Sequence, residues 1–151
     1  MLQNAIQKTG RSIVLSLSPG PALPEKAWIY EKYANMWRIT DDLWDKWEDI
    51  LNMFNRCEIW QEHVGTGCYP DCDMIPFGHL GKGFGHEWTC NLTYDEQRTL
   101  MSLWCIFRSP LMLGCELTLL DDKTKELITN EDILHLTGHS DGARQIKRDS
   151  D

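Results

Sequence analysis

The sequence has 151 residues, 42% hydrophobic and 25% charged, which is the size and composition of one globular domain rather than two. Its 15 basic and 23 acidic residues leave a net charge of −8, which excludes the positive surface that nucleic acid and anionic membranes require. No apolar run approaches the roughly 20 residues of a membrane span, and residues 1–11 lack the apolar stretch of a signal peptide, so the residues themselves predict no membrane partner and no export address.

In chain order, residues 12–18 (SIVLSLS) are a β-branched and aliphatic run closed by Pro19-Gly20-Pro21, the pattern of a buried parallel strand entering a loop. A short helix is expected within residues 25–33, and residues 35–39 (NMWRI) read as a second strand. Thr40-Asp41-Asp42 then opens a helix whose Trp44, Trp47, Ile50, Leu51 and Phe54 make one apolar face. A Gly-, His- and Cys-containing loop over 62–70 leads to a third strand at 73–77. The loop that follows, 78–91, holds four of the eleven glycines, and loops of that length inside compact domains usually carry function. Thr93 with Glu96 makes a capping box for the next helix, whose face of Leu100, Leu103, Trp104 and Phe107 is apolar until Ser109-Pro110 stops it. Residues 111–114 read as a fourth strand, residues 122–128 and 130–136 as helical, and residues 138–151 as a polar, charged tail.

Strand and helix thus alternate as in βαβ units around a parallel sheet. Neither a GxGxxG after a strand nor a P-loop occurs, so a nucleotide-binding doubly wound sheet gives way to a (β/α) barrel, whose catalytic residues gather at the C-terminal ends of its strands. Those ends carry Ser18, then Arg38 with Asp41 and Asp42, then Asp71 and Asp73 with Met74, then the corner Gly114-Cys115-Glu116. An arginine four residues before a carboxylate can orient it and tune its pKa for proton transfer. Because side chains alternate along an extended segment, at most one of Asp41 and Asp42 reaches the barrel mouth, and spacing does not choose between them. Both could instead cap the following helix.

Seven tryptophans suit either a heavy core or sugar stacking, and Trp37, Trp44, Trp47 and Trp104 are expected in the core. His79 and His86 with Glu87 read as solvated loop residues rather than metal ligands. The six cysteines show no CxxC pair, so no structural metal is expected, and Cys68 and Cys72 are open to being paired or free. Asn91-Leu92-Thr93 matches a glycosylation sequon, but the capping role of Thr93 already accounts for it.

WRITDD followed by Trp44-Asp45-Lys46-Trp47, then PDCDMIPFG, then LTYDEQRTLMSLWCIFRSPLMLG, then LITNEDIL, in that order and spacing, closely resemble the second half of the catalytic domain of glycoside hydrolase family 27, the α-galactosidases or melibiases. The resemblance covers about residues 11–140. SIVLSLSPGPAL resembles the fifth barrel strand of bacterial members. The implied fold is therefore α/β, strands five to eight, the C-terminal half of a TIM (β/α)8 barrel. Residues 1–140 would form this partial barrel and 141–151 the start of the segment leading out of it.

The resemblance implies hydrolysis of terminal α-linked galactose with retention, by two aspartates. The family's Arg-x-x-x-Asp motif falls on Arg38 and Asp42, so Asp42 resembles the acid/base and Arg38 the residue that contacts both it and the sugar. Asp71-Cys72-Asp73-Met74 matches the family's Asp-Pro-Asp-Met with Cys72 in place of proline, which implies that Asp73 and Met74 line the sugar pocket. Ser18 stands where many eukaryotic α-galactosidases place a glutamate that reads the sugar 2-hydroxyl. A smaller residue there is also seen in relatives that accept N-acetylgalactosamine, and other members hydrolyse β-L-arabinopyranosides, which lack the C6 hydroxymethyl group. The family's nucleophile lies in a Lys-x-Asp segment that is expected outside this chain.

No cofactor and no metal is implied, and the bacterial members imply a periplasmic or secreted location. Three readings stand at this point: a piece of a retaining α-galactosidase whose partner is the missing N-terminal half-barrel, a non-catalytic sugar-binding half-barrel, and an unrelated α/β domain. A half-barrel on its own leaves two strand edges and the inner sheet face uncovered, which favours the first.

Overall fold

The computed structural model describes residues 2–65 and 67–149. Helix α1 (Leu2–Lys8), which the sequence pattern did not announce, precedes strand β1 (Ser16–Leu17). A 3-10 turn at Pro24–Lys26 leads into α2 (Ala27–Tyr33), followed by β2 (Met36–Arg38), α3 (Trp47–Trp60) and β3 (Tyr69–Asp71). The three strands form a parallel sheet in the order β1-β2-β3, with Leu17 opposite Trp37 and Arg38 opposite Asp71. A parallel bridge between Ile75 and Leu113 adds a fourth extended segment, through Ile75 N–H to the Met112 carbonyl (2.8 Å) and Gly114 N–H to the Ile75 carbonyl (3.0 Å). The remaining elements are the antiparallel pair β4 (His79–Leu80) and β5 (Trp88–Thr89), then α4 (Tyr94–Phe107), α5 (Asp122–Ile128) and α6 (Glu131–His139).

Period-two alternation in β2 divides the molecule into two faces. Trp37 and Ile39 are fully buried under the helices, while Met36 and Arg38 face the opposite side and stay partly exposed. Trp37 stacks on Tyr30 (5.7 Å between ring centroids) and lies 5.9 Å from Trp60, so α2 and α3 close over β2 through three aromatic rings. Ile50, Met53, Cys57 and Trp60 form the buried stripe of α3, and Leu100, Met101, Trp104 and Cys105 that of α4. Arg56 reaches from α3 to the ends of two strands, donating to the Ile39 carbonyl (2.6 Å) and the Ala22 carbonyl (3.3 Å).

The Thr93–Glu96 capping box forms as expected: Glu96 Oε2 accepts from Thr93 N–H (2.7 Å) and Thr93 Oγ1 from Glu96 N–H (3.3 Å). Arg108, left-handed at φ 64°, ends α4 just before Ser109-Pro110.

Four expectations are corrected. The first strand is only Ser16–Leu17, and Ile13 and Val14 are 43% and 70% exposed beside it. The third strand lies at Tyr69–Asp71, ahead of residues 73–77. Pro70 hid it, yet the ladder uses the Tyr69 N–H to Asn35 (2.9 Å) and the Asp71 carbonyl to Ile39 N–H (3.0 Å), so proline has no donor to lose there. Asp73, at φ 76°, interrupts the ladder before Ile75 resumes it. The helix expected from Thr40-Asp41-Asp42 starts instead at Trp47, with Lys46 as an N-cap lacking a side-chain bond, so neither aspartate caps it. The fourth strand is reduced to the single bridge at Leu113, and the loop 78–91 is built around the β4–β5 hairpin.

Among the described residues, β1 pairs with β2 alone and Leu113 with Ile75 alone, so the sheet has two open edges. Met112 and Leu113 are 57% and 39% exposed at the second of them. No helix among the described residues is long and apolar enough to cross a membrane.

Candidate active site

Parallel strands present their C-terminal ends on one side of the sheet, and the polar residues there converge. From the end of β2, Arg38 Nη2 donates to Asp42 Oδ1 at 2.9 Å and Arg38 Nη1 to Asp73 Oδ1 at 2.9 Å. The guanidinium thus bridges two carboxylates with its planar fork. The environments of the two differ: the Asp73 side chain is 12% exposed and the Asp42 side chain 80%. Asp42 therefore projects into open space while anchored on one oxygen. Asp73 Oδ2 accepts from Leu43 N–H (2.7 Å), which pins the chain next to Asp42.

Asp73 is held in its left-handed conformation from both sides. Its N–H donates to Asp71 Oδ1 (2.9 Å), and its carbonyl accepts from Trp104 Nε1 (3.1 Å) on α4. A non-glycine residue at φ 76° is a strained conformation that the surroundings must impose, and here buried groups of the core impose it. Burial pushes the Asp71 carboxyl above its ordinary value, opposed by the bond from the Asp73 N–H.

These residues open into a cleft of about 450 Å³ lined by Arg38, Asp42, Asp73 and Met74 together with Trp44, His79, Lys82, Phe84 and Glu116. Gly114 also lines it: a Cβ there would come within 2.5 Å of Met74 Sδ, so the absence of a side chain lets Met74 lie in the pocket. Lys82 Nζ sits 2.8 Å from Glu116 Oε2, while Thr118 donates its N–H (3.1 Å) and hydroxyl (2.5 Å) to Glu116 Oε1. The hydrogen bond from Lys82, with those from Thr118, holds the Glu116 carboxyl down at about 2. A larger groove of about 940 Å³ runs between α3, α4 and residues 143–149, but no strand end reaches it.

Of the residues singled out in the sequence, Arg38, Asp42, Asp73 and Met74 meet in the cleft. Ser18 is exposed at the end of β1 and is not among the residues lining it. Asp42 faces the cleft, whereas Asp41 turns toward the loop at Gly20, which is the alternation expected of neighbours. Trp37 and Trp104 are core as expected, and Trp47 packs partly buried against it. Trp44 departs from that expectation: it precedes α3, lines the cleft and packs 5.7 Å from Trp88.

His79 pairs with Glu87 and His86 stacks on Trp88 (5.6 Å). All six cysteines are free, including Cys68 and Cys72. Cys72 Sγ is fully buried, 3.7 Å from Cys57 Sγ, and burial pushes its thiol well above the usual value.

Sequence reasoning missed Asp45. It is buried, and its Oδ2 accepts from Trp88 Nε1 (3.0 Å), Asn91 N–H (2.7 Å) and Asn91 Nδ2 (2.7 Å), clamping the base of the hairpin. The same contact occupies the side-chain amide of the Asn91 sequon. It also missed Lys82 and Phe84, although the alternation Gly81-Lys82-Gly83-Phe84-Gly85 was a signal that two side chains were being displayed from a tight backbone.

A family model described as α-galactosidase A, of the melibiases, matches residues 1–138. The chain belongs to glycoside hydrolase family 27. Among melibiase-family relatives, α-galactosidase 3 of Arabidopsis thaliana is 30% identical over 133 residues, 88% of this chain and 28% of its own length. The α-N-acetylgalactosaminidase of Gallus gallus is 30% identical over 139 residues, 85% of this chain and 32% of its own. A crystal structure of a family 27 β-L-arabinopyranosidase from Geobacillus stearothermophilus, in complex with arabinose, superposes with a TM-score of 0.95 at 50% identity, covering 99% of this chain and 36% of that one. The chain therefore spans about a third of the length of these relatives. It is a glycosidase-family chain with the architecture of a partial TIM barrel.

Proposed function

We propose that this chain supplies strands five to eight, residues 1–140, of a family 27 barrel, with residues 141–151 beginning the segment that leads out. In this reading it contributes the acid/base side of an active site that hydrolyses terminal α-D-galactosyl residues with retention. The observation that carries the reading is the exposed Asp42 carboxylate anchored by Arg38 in a cleft at the C-terminal ends of parallel strands.

Chemically, Asp42 in its acid form protonates the glycosidic oxygen as a nucleophilic carboxylate attacks the anomeric carbon. The C–O bond breaks, and a covalent glycosyl-enzyme remains. Asp42, now a carboxylate, takes a proton from water, which displaces the enzyme carboxylate and regenerates the acid. Arg38 and Asp73 orient Asp42 and offer hydrogen bonds to sugar hydroxyls, and Met74 gives the pocket an apolar wall. The nucleophile comes from strands outside this chain.

Similarity to the arabinopyranosidase supports a second glycone, β-L-arabinopyranose, and similarity to the Gallus gallus enzyme supports a third, α-N-acetylgalactosamine. Arabinopyranose keeps the 2-hydroxyl of galactose, so the short, exposed Ser18 at the end of β1 bears only on the N-acetylgalactosamine reading.

Two proteins test the proposal: the isolated chain, and the chain joined to the amino-terminal part of the Geobacillus stearothermophilus arabinopyranosidase in place of its matching segment. Aryl α-galactoside, aryl α-N-acetylgalactosaminide and aryl β-L-arabinopyranoside are offered to both. Turnover is expected from the joined protein alone. Hydrolysis by the purified 151-residue chain would show that the nucleophile is not missing. A folded joined protein without activity on any of the three would refute the assignment.

A further inference from the structure

We propose that the β4–β5 hairpin is a leaving-group subsite, in which Phe84 and Lys82 receive the second pyranose ring of a disaccharide or longer oligosaccharide. This rests on the assignment of Asp42 as acid/base. An acid that protonates the glycosidic oxygen must lie beside the bond that breaks, so the leaving sugar departs along the wall of the cleft that Asp42 shares. The lining of that one cleft includes both Asp42 and the hairpin residues Lys82 and Phe84.

Three features fit the hairpin for a carbohydrate. Phe84 is 83% exposed although it lines the cleft, so its ring packs into no core of this chain, and an aromatic face is a surface on which the C–H face of a pyranose can be desolvated. The loop that displays it is tightly built: Gly81, Gly83 and Gly85 all have positive φ, and Phe84 N–H donates to the Gly81 carbonyl at 2.9 Å. At Gly81 any side chain would overlap the His86 carbonyl and the Trp88 ring, so only glycine permits this turn.

Lys82 supplies the polar part. One ammonium proton is directed to Glu116 Oε2, which fixes the side chain, and an ammonium has two more donors for sugar hydroxyls. The base of the hairpin is clamped through Trp88 and Asn91 onto buried Asp45, three residues from Asp42, so subsite and acid are held by one stretch of chain.

The test uses the joined enzyme described above and two classes of substrate with the same glycone: the glycosyl fluoride, which has no second ring, and a disaccharide with glucose as the leaving group. Phe84→Ala and Lys82→Met are each compared with the parent. The expected result is a fall of about tenfold in kcat/KM on the disaccharide for Phe84→Ala, a smaller fall for Lys82→Met, and unchanged rates on the fluoride for both. The unchanged fluoride rate also reports that the variants are folded. Disaccharide kinetics equal to the parent's, or equal losses on the two substrates, would overturn the subsite while leaving the glycosidase reading intact. Failure of the parent to hydrolyse the fluoride would overturn both.

Discussion

Replacing Asp45 by alanine removes the acceptor that holds the hairpin to the segment between β2 and α3. Three donors converge on its Oδ2, and their fates differ. The Asn91 side chain belongs to an exposed residue, so its amide can turn to water at little cost. The Trp88 indole N–H and the Asn91 backbone N–H are fixed by the fold and are left to find new partners. A buried donor left unsatisfied costs about 1–3 kcal/mol; with both of these donors only partly buried, the two together should cost about 3 kcal/mol. In a domain of this size 1 kcal/mol moves the unfolding temperature by about 2–4 °C, which gives a fall of about 6–12 °C for Asp45→Ala.

Asp45→Asn keeps a neutral acceptor and should lose roughly half as much. Thermal unfolding followed by circular dichroism measures the shift, and amide hydrogen exchange over residues 79–91 locates it. An Asp45→Ala protein unfolding within about 1 °C of the parent, with unchanged exchange in the hairpin, would refute the clamp.

Other positions test the site's construction. Gly114→Ala would place a Cβ 2.5 Å from Met74 Sδ; we expect a loss of about 1–3 kcal/mol in thermal unfolding and a reduced kcat/KM on glycosides as Met74 is displaced. A Gly114→Ala protein with parental stability and kinetics would show that the position of Met74 does not depend on the missing side chain at residue 114. Asp71, raised by burial, gives a pH signature. Stability owed to its neutral form is complete below the unfolded value of 3.8 and is lost as pH rises through the higher folded value. Asp71→Asn stays neutral throughout, so its unfolding temperature relative to the parent should be higher at pH 7 than at about pH 3.5. A pH-independent difference would contradict that sign.

Much of the scaffold is legible in the sequence because it is encoded locally. The Thr93–Glu96 box and the Ser109-Pro110 stop bound α4 within a residue, since capping chemistry is set by neighbours in sequence. Arg38 and Asp42 could be paired on paper because four residues of chain separate them, and the structure pairs them. What escaped depended on contacts between distant residues. Asp73 could not be foreseen as left-handed, because that conformation is imposed by Asp71 and by Trp104, 31 residues away.

The helix expected at Thr40 begins only at Trp47, because the intervening chain is tied to distant residues, Leu43 N–H to Asp73 and Asp45 to Trp88 and Asn91. β3 is hard to see in the sequence because its proline argues against a strand by propensity, while its pairing register makes that proline harmless. Asp45 looked like one more surface acid until the hairpin, more than 40 residues on, folded over it.

The most direct test of the account is the leaving-group dependence of Asp42→Asn in the joined enzyme. If Asp42 is the acid that protonates the departing oxygen, kcat/KM on a disaccharide should fall by about 10³-fold or more, while hydrolysis of the glycosyl fluoride, whose leaving group needs no proton, should fall less than about tenfold. Equal losses on both substrates, or rates like the parent's on the disaccharide, would contradict the assignment of Asp42.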